Sequence, residues 1–340
     1  MRALILHGPG DLRLAEVEDP EPGPGEVVVA VDAALTCATD AKMMRLGQHP
    51  ALPAPPAPFG HEASGTVASV GAGVDSVRPG DRVVVANSAP CDVCFYCRRG
   101  RPGLCEDLVY LTGAFAERLR VPARIVARNL MALPEGLPPE RGAMVEPLAC
   151  AVRTAERSST GQGDAVAILG GGAQGQFLVA LLAARGCEVM LCDPHAERRE
   201  RALRFGAAAV TEAPRDAAGA ARVRATMNGG RGADAVFEAV GRPETWELAV
   251  AVARPGGEVN LHGGCPAGST VTLPTGPMHY GELRIQGSYH HTPTALRRAL
   301  ALLAARAAPY EELLGPPVGL DEVPGALAAW RGEKQPVRVT

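Results

Sequence analysis

Four of the nine cysteines in this chain of 340 residues fall within one short segment that is rich in proline and glycine. Their spacing is C-x2-C-x2-C-x7-C, and the turn-forming residues around them allow the chain to fold around an ion. Four thiolates at such spacings are typical of a closed tetrahedral zinc site, which leaves no room for a substrate. An iron–sulfur cluster uses the same ligand type and is the alternative, ranked below zinc. The pattern predicts a structural zinc ion with the ligands Cys91, Cys94, Cys97 and Cys105.

A second set of metal-binding residue types is dispersed along the chain. It comprises Cys37, the triplet Gly60-His61-Glu62 and the pair Glu146-Pro147. A single cysteine or histidine of this kind is more often a packing residue than a ligand. Together, however, these residues supply one thiolate, one imidazole and two carboxylates. Three protein ligands and one open position are the pattern of a catalytic zinc site, which we therefore predict here.

A glycine-rich loop at residues 170–175 reads Gly-Gly-Gly-Ala-Gln-Gly and fits the pattern G-x-G-x-x-G. It lies between a short apolar run and a stretch of helical character, and this context gives the motif its weight. In such loops the glycines permit a tight turn and a close approach to a pyrophosphate, which the N-terminus of the following helix also attracts. A glycine-rich turn without a ligand is the alternative.

An acidic residue, Asp193, follows the next apolar run. It stands near the offset of about 20 residues at which a dinucleotide site places the carboxylate that binds the adenosine ribose. A carboxylate there accepts hydrogen bonds from the ribose hydroxyls and repels a 2′-phosphate, which favours NAD over NADP. An ordinary turn at Asp193-Pro194 is the alternative. The predicted NAD-binding residues are Gly170, Gly172, Ala173, Gln174, Gly175 and Asp193.

The elements that must position these residues differ between the two parts of the chain. Up to residue 148, β-type runs at 26–31, 63–70 and 81–85 are separated by turns rich in proline and glycine, which predicts a β-rich domain. Beyond that point apolar runs alternate with helical stretches, which is typical of a doubly wound parallel sheet of the α/β class. The expected strands are 165–169, 187–192, 235–238, 257–262 and 283–287, and the expected helices are 176–185, 196–205, 243–253 and 294–305.

Composition narrows the class of partner. Apolar residues make up 46% and charged residues 21% of the chain, and the formal net charge of −3 gives no electrostatic reason to bind nucleic acid or an anionic membrane. The N-terminus lacks a signal-peptide pattern, and no apolar run approaches the ~18 residues of a membrane helix. We therefore expect a cytoplasmic protein whose partner is a small molecule.

The order of these features resembles that of the zinc-containing medium-chain dehydrogenases along essentially the whole chain. Cys37 with Thr39-Asp40 is followed by Gly60-His61-Glu62-Ala63-Ser64-Gly65, by the four-cysteine segment, by Glu146-Pro147 and by the glycine-rich loop. The chain is most similar to the sorbitol (polyol) and threonine dehydrogenase branch, where glutamate follows the zinc-binding histidine. The resemblance implies an NAD-dependent, zinc-containing alcohol or polyol dehydrogenase that assembles as a homodimer or homotetramer.

The resemblance also implies a fold. A Rossmann-type doubly wound parallel sheet is inserted in a GroES-like, β-rich catalytic domain. The expected domains are the GroES-like catalytic domain at 1–148, the NAD-binding domain at 149–287 and the C-terminal return to the catalytic domain at 288–340.

Roles for the metal-binding residues follow from the same resemblance. Cys37, His61 and Glu62 bind the catalytic zinc. Glu146 is either a fourth ligand or holds the zinc-bound water. Asp40 orients the His61 ring without being a metal ligand itself.

The resemblance assigns proton transfer to Thr39, whose hydroxyl passes the substrate proton towards the nicotinamide ribose. Lys42 stands where the polyol branch often has a histidine that extends this relay, so the predicted catalytic residues are Thr39, Asp40 and Lys42. The segment 288–291 also departs from the polyol pattern, because it lacks the usual arginine. The predicted substrate is a secondary alcohol of the polyol, sugar, cyclitol or amino-cyclitol type, with threonine or a simple secondary alcohol as the alternative. The predicted substrate-binding residues are Tyr289, His290 and His291, and the next candidates are Lys42, Met43 and His49.

Two other functional classes compete with the dehydrogenase. A non-catalytic nucleotide-binding module could use the same fold, but it would have no use for an open zinc site. A zinc-free quinone reductase would lack both sets of cysteines.

Overall fold

The structure, a computed structural model, describes residues 1–47, 53–330 and 332–339. The chain divides into two compact units, one formed by residues 1–149 together with 291–340 and the other by residues 150–290. The second unit is therefore inserted in the sequence of the first. His49, a substrate candidate in the sequence, lies outside the described residues.

Strands dominate the first stretch of the first unit. The predicted strand at 63–70 is confirmed, and those at 26–31 and 81–85 overlap observed strands. The last helix of this stretch continues past the unit boundary. The elements are β1 (Arg2–Gly8), β2 (Asp11–Glu16), β3 (Val27–Leu35), α1 (Ala38–Leu46), β4 (Ala57–Pro58), β5 (Ala63–Val70), β6 (Arg82–Val85), β7 (Ser88–Ala89), β8 (Val109–Tyr110), β9 (Arg118–Val121), α2 (Ala123–Asn129), β10 (Leu130–Ala132), α3 (Pro139–Ala143) and α4 (Val145–Arg157).

Helices and strands alternate through the second unit. The elements are β11 (Ala165–Leu169), α5 (Ala173–Ala184), β12 (Glu188–Cys192), α6 (Ala196–Arg204), β13 (Ala209–Thr211), α7 (Ala217–Ala225), β14 (Ala233–Glu238), α8 (Pro243–Val252), β15 (Ala253–Leu261), α9 (Thr275–His279) and β16 (Arg284–Gly287). The sequence patterns missed β13, α7 and α9, which are short and lack a clear apolar period. β15 begins at Ala253 rather than at 257, with an irregular first pair to β14 before the regular ladder starts at Glu258.

All six strands of residues 150–290, every one of which is described, run parallel in the order β13-β12-β11-β14-β15-β16. The central strand β11 is buried at every position, as expected for a strand covered by helices on both faces. The direction in which strands are added reverses between β11 and β14, and sheets of this kind bind ligands beyond the carboxyl ends of the strands at that point. The predicted doubly wound α/β class is confirmed.

The C-terminal stretch completes the sheet of the first unit. Its elements are α10 (Pro293–Ala304), β17 (Val318–Gly319), α11 (Val323–Ala328) and β18 (Pro336–Arg338). Among the described residues this sheet has the order β10-β6-β5-β3-β18-β17, and β9 also pairs with β3. β18 runs antiparallel to β3, with Pro336 opposite Leu35. The end of the chain therefore lies beside one of its first strands.

Each unit has an apolar core of its own. The core of the first unit includes Phe59 and Phe115, and that of the second unit gathers aliphatic side chains from the sheet and from α7 and α8. Within the described parts of the chain, none of the helices combines the length and the apolar character needed to cross a bilayer.

Candidate zinc and cofactor sites

Three strand ends of the first unit meet at one edge of its sheet. Cys37 lies just beyond the end of β3, and His61 and Glu62 immediately precede β5, its antiparallel neighbour. β18, antiparallel to β3 on the other side, brings Lys334 to the same edge. As a result, the donor atoms of Cys37, His61 and Glu62 all lie within 4.8 Å of one another.

Asp40 orients the His61 ring. Cys37 is the N-cap of α1 and Asp40 lies in the first turn, where the helix N-terminus favours a carboxylate. One oxygen of Asp40 accepts a hydrogen bond from the Cys37 backbone N–H at 3.0 Å, and the other lies 2.8 Å from His61 Nδ1. When Nε2 gives up its proton to bind a metal ion, Asp40 keeps the remaining ring proton on Nδ1; Nε2 lies 3.9 Å from a Glu62 oxygen. Burial lowers the pKa of His61, but Asp40 and Cys37 together raise that pKa well above its usual value.

Lys334 is a buried cation in this cluster that the sequence patterns did not single out. Its Nζ donates hydrogen bonds to both oxygens of Glu62, at 2.6 and 2.7 Å. The two side chains are 2% and 0% exposed. Burial disfavours the charged lysine, yet the charges of Glu62 and Cys37 raise the pKa of Lys334 above its ordinary value. The only signal in the sequence is rarity, since the chain has one other lysine, Lys42.

The surroundings of Cys37 favour its thiolate form. Burial by itself would raise the pKa of the thiol, but the Lys334 ammonium group and a hydrogen bond from His61 lower that pKa to about 7. Because the thiolate rather than the thiol binds metal ions, this environment suits a metal ligand.

Glu146, in the first turn of α4, adds a further buried carboxylate to the first unit, besides those of Asp40 and Glu62. Its charge raises the pKa of Lys334, and its Oε1 lies 3.9 Å from Nε2 of the buried His291. The same histidine nitrogen lies 2.7 Å from Oδ1 of Asn87. Asn87 is thus a polar neighbour of this cluster that no motif in the sequence indicated.

The four-cysteine segment gathers its sulfur atoms around one point. The Sγ atoms of Cys91, Cys94, Cys97 and Cys105 lie within 4.8 Å of one another, and those of Cys94 and Cys105 are 3.9 Å apart. Tetrahedral zinc with Zn–S bonds of about 2.3 Å places sulfur atoms about 3.8 Å apart, whereas a disulfide bond is about 2.05 Å long. Backbone N–H groups of Cys97 and Glu106 lower the pKa of the Cys94 thiol to about 6. The donor set and its spacing fit a four-thiolate metal site.

The glycine-rich loop joins β11 to α5 in the second unit. Gly172 is the N-cap of α5, which begins at Ala173 rather than at 176. Gly170 has a φ of +106°, a conformation that favours glycine. A side chain on Gly175 would place its Cβ 1.8 Å from the Gly170 carbonyl oxygen, so no other residue fits. The resulting loop and helix N-terminus have the form of a pyrophosphate site.

Known protein families match both units. The alcohol dehydrogenase GroES-like domain matches residues 23–135, and the zinc-binding dehydrogenase family matches residues 173–305. The chain is 33% identical to L-threonine 3-dehydrogenase of Pyrococcus horikoshii over 80% of this chain and 78% of that protein. It is 31% identical to sorbitol dehydrogenase of Bombyx mori over 92% and 90% of the two chains. The chain belongs to the zinc-binding dehydrogenases.

A solved structure supports the same family. A protein from Sinorhizobium meliloti, described as a zinc-binding dehydrogenase bound to NADP, has a TM-score of 0.89 and 32% identity to this dehydrogenase over 99% of this chain and 98% of that one. The predicted kinship with zinc-containing medium-chain dehydrogenases is confirmed, as is the pairing of a GroES-like with a Rossmann-type domain. The protein is therefore an enzyme of the zinc-dependent alcohol dehydrogenase family.

Asp193 of the dehydrogenase is buried at the end of β12. Its Oδ2 accepts a hydrogen bond from the Gly171 backbone N–H at 2.6 Å, and its Oδ1 accepts one from the His195 N–H at 2.8 Å. Nη1 of Arg198 lies 3.5 Å from Oδ2. The carboxylate thus ties the glycine-rich loop to β12.

The other predicted residues of the dehydrogenase are distributed over both units. Thr39 and Lys42 are half-buried on α1, one turn apart. Tyr289 and His290 follow β16 in the second unit, with their rings stacked at a centroid distance of 5.6 Å. Tyr289 is 51% exposed, whereas His291 is buried and belongs to the first unit.

Proposed function

We propose that this zinc-binding dehydrogenase transfers a hydride between NAD and a secondary alcohol of the polyol, sugar, cyclitol or amino-cyclitol type. The observation that supports this most strongly is the set of Cys37, His61 and Glu62, whose donor atoms lie within 4.8 Å of one another. A thiolate, an imidazole and a carboxylate leave one tetrahedral position open, as a catalytic zinc requires.

The reaction needs a Lewis acid at the substrate oxygen and a hydride acceptor, which zinc and NAD supply when bound. Asp40 keeps His61 in the tautomer whose Nε2 can bind the metal. Thr39 accepts the proton of the substrate hydroxyl and passes it on, while Lys42 lies one turn further along α1 and takes part in the same relay. In this mechanism Thr39 acts as a relay and does not need to ionise.

Two carboxylates are available to the catalytic metal. We propose Glu62 as the third ligand, because a carboxylate has about four lone-pair sites and Lys334 uses only two. Glu146 would be a fourth ligand or would accept a hydrogen bond from a water molecule on the metal. The cysteines of the four-cysteine segment would hold a second, structural zinc ion.

The proposed substrate class draws on the relatives and on the residues after β16. Sequence relatives include enzymes named sorbitol dehydrogenase and L-threonine 3-dehydrogenase. Tyr289, His290 and His291 carry rings that donate and accept hydrogen bonds, which suits vicinal hydroxyl groups in a mostly apolar pocket. Threonine and simple secondary alcohols are the competing substrates.

The preference for NAD is proposed on the basis of Asp193, whose carboxylate would accept hydrogen bonds from the adenosine ribose hydroxyls and repel a 2′-phosphate. NADP is the second candidate. It is favoured by the guanidinium of Arg198, 3.5 Å from that carboxylate, and by the NADP bound to the Sinorhizobium meliloti protein.

We further propose that the enzyme forms a homodimer or homotetramer, as its resemblance to medium-chain dehydrogenases implies. Sedimentation equilibrium measures this against a chain mass of 35.2 kDa. A species of one chain mass at all concentrations would contradict the proposal.

Metal analysis and a substrate panel test the proposed reaction. Protein purified without chelator should hold about two zinc ions per chain, one in a closed and one in an open site. Cys37→Ser should remove one equivalent and abolish NAD reduction with polyols, cyclitols, amino alcohols and threonine. Cys94→Ser, the matched change in the four-cysteine segment, should remove the other equivalent.

Retention of both equivalents in Cys37→Ser would refute the catalytic metal site. Binding of NADH without turnover of any member of the panel would favour a nucleotide-binding module.

A further inference from the structure

A buried glutamine, Gln176, connects the glycine-rich loop to α6. It lies in α5 directly after the last glycine of the motif, and it is completely buried. Its Nε2 lies 3.1 Å from the carbonyl oxygen of Gly171 and 2.8 Å from that of Arg198. Because both partners can only accept hydrogen bonds, the amide nitrogen must be the end of the side chain that faces them. Its two N–H bonds therefore join the loop to α6.

The oxygen of the Gln176 amide has no hydrogen-bond partner among the described residues. A buried acceptor without a partner opposes folding, so an apolar side chain of similar size would suit this interior position better. The presence of a glutamine is therefore explained by the two hydrogen bonds that its nitrogen donates.

Two successive peptide units of the loop are held by side chains. The Gly171 N–H donates to Oδ2 of Asp193 at 2.6 Å, and the Gly171 carbonyl accepts from Gln176. A peptide unit is planar and trans, so its carbonyl and its N–H point in opposite directions. The carbonyl of the buried Gly171 faces Gln176, and the N–H of the partly exposed Gly172 therefore points away from that side chain. Gln176 thus decides which way the Gly171–Gly172 peptide faces.

The direction of this peptide matters for an anion at the start of α5. Gly172 is the N-cap of the helix, and the first four N–H groups of a helix have no partner within it. Such groups attract phosphate oxygens. A reversed Gly171–Gly172 peptide would present a carbonyl oxygen to the phosphates and repel them, and glycine offers little resistance to such a reversal.

We propose that Gln176 is a positioning residue that locks the Gly171–Gly172 peptide with its N–H towards the pyrophosphate of the cofactor. The backbone N–H would be the contact, and Gln176 would act through it. This inference rests on the proposed function, because it assumes that the second unit binds a nicotinamide dinucleotide.

Binding of ADP and of adenosine to the zinc-loaded enzyme tests the inference, since only ADP carries the phosphates. Gln176→Met keeps the size of the side chain and removes the donor. It should weaken ADP binding about tenfold, the effect of one lost hydrogen bond, and leave the Kd for adenosine unchanged. The matched control is Gln162→Met, which makes the same change at an exposed position before β11 and should alter neither affinity. Calorimetry gives the affinities, and thermal unfolding shows whether each variant is folded.

The variant Gln176→Glu separates the donor from packing, because glutamate has the same shape as glutamine. Its carboxyl group can donate to the Gly171 oxygen only when it is protonated, and burial beside two carbonyl oxygens raises the pKa of such a group. Relative to wild type, its ADP affinity should be about tenfold lower at about pH 8 and should recover as the pH falls to about 6. The ratio for Gln176→Met should stay constant. Comparison with wild type at each pH cancels the titration of ADP, Asp193 and Arg198, which all proteins share.

Equal weakening of ADP and adenosine in Gln176→Met would overturn the inference, as would an unchanged affinity for ADP or a pH-independent ratio for Gln176→Glu. In each case wild-type enzyme that binds NADH leaves the proposed function standing. Failure of the wild-type enzyme to bind NADH would refute the proposed function and the inference together.

Discussion

Replacement of Lys334 by methionine should destabilise the first unit strongly. The lysine Nζ lies 2.6 and 2.7 Å from the two oxygens of Glu62, and both side chains are almost completely removed from solvent. With an effective dielectric constant of about 20, unit charges at this separation attract by about 6 kcal/mol. The loss cannot reach that value, because burial raises the pKa of Glu62 and the carboxyl can protonate once its partner is gone. Loss of one partner of a buried pair typically costs about 3–5 kcal/mol, which is the destabilisation that we expect.

Urea unfolding followed by tryptophan fluorescence measures this change. The chain has two tryptophans, one in each unit, so a Trp246→Phe background leaves Trp330 as the reporter of the first unit. All variants are compared after chelation, because bound zinc would add its own stabilisation. Arg338→Met, an exposed cation on β18, is the matched control and should change the free energy of unfolding by no more than about 0.5 kcal/mol.

The double variant Glu62→Gln with Lys334→Met removes both charges and should recover most of the loss, with a coupling energy of about 2 kcal/mol or more. A loss below about 1 kcal/mol for Lys334→Met, or strict additivity in the double variant, would refute the reasoning.

Three further outcomes are expected. Asp193→Ala should weaken the use of NAD more than that of NADP, because it removes the acceptors of hydrogen bonds from the ribose hydroxyls together with a charge that repels the 2′-phosphate. Measurement of kcat/KM with each cofactor tests this. Equal or better turnover of the wild-type enzyme with NADP would contradict it. Because burial lowers the pKa of His262 to about 4 in the folded protein, stability should be intact above the unfolded value of about 6.5 and fall as the pH drops from there to 4. The full pKa shift corresponds to about 3 kcal/mol, and the partial exposure of the ring reduces this value. Urea unfolding should therefore show that His262→Gln loses about 1–2 kcal/mol less free energy of unfolding over this pH range than the wild-type protein does. Equal pH profiles of the two proteins would argue against a neutral ring. His291→Ala should lower kcat/KM on the best substrate by about one to two powers of ten with zinc content unchanged, and full efficiency would assign this buried histidine to structure.

Local features of the fold were predictable from the sequence to within a few residues. The strand at 63–70 and the helix at 243–253 carry their own turn signals, including a proline in the first turn of α8. β13 and α7 were missed, because short alanine-rich elements have little pattern and form only when the neighbouring strands and helices cover them. The early start of β15 was missed for a related reason, since its proline and glycines read as a turn and only pairing with β14 makes the segment a strand.

Some of the candidate sites could likewise be identified from the sequence alone, and others could not. The four-cysteine segment and the glycine-rich loop each occupy a few consecutive residues, so their spacing alone restricts the chemistry, and sequence was sufficient to identify them. Cys37 and His61 could be grouped from sequence only by their residue types and by a family resemblance, because no local spacing relates them.

Lys334 and Glu62 are 272 positions apart, and the pair exists because β18 joins the sheet beside β3. His262 and Gln174 are 88 positions apart and meet because β15 and β11 end at the same edge of a parallel sheet. By itself the sequence determined the residue types at the sites and the periodicity of the elements that carry them. Tertiary structure decided which charges and hydrogen-bonding groups are neighbours, because strand order in a sheet depends on the burial of whole faces and not on any local pattern.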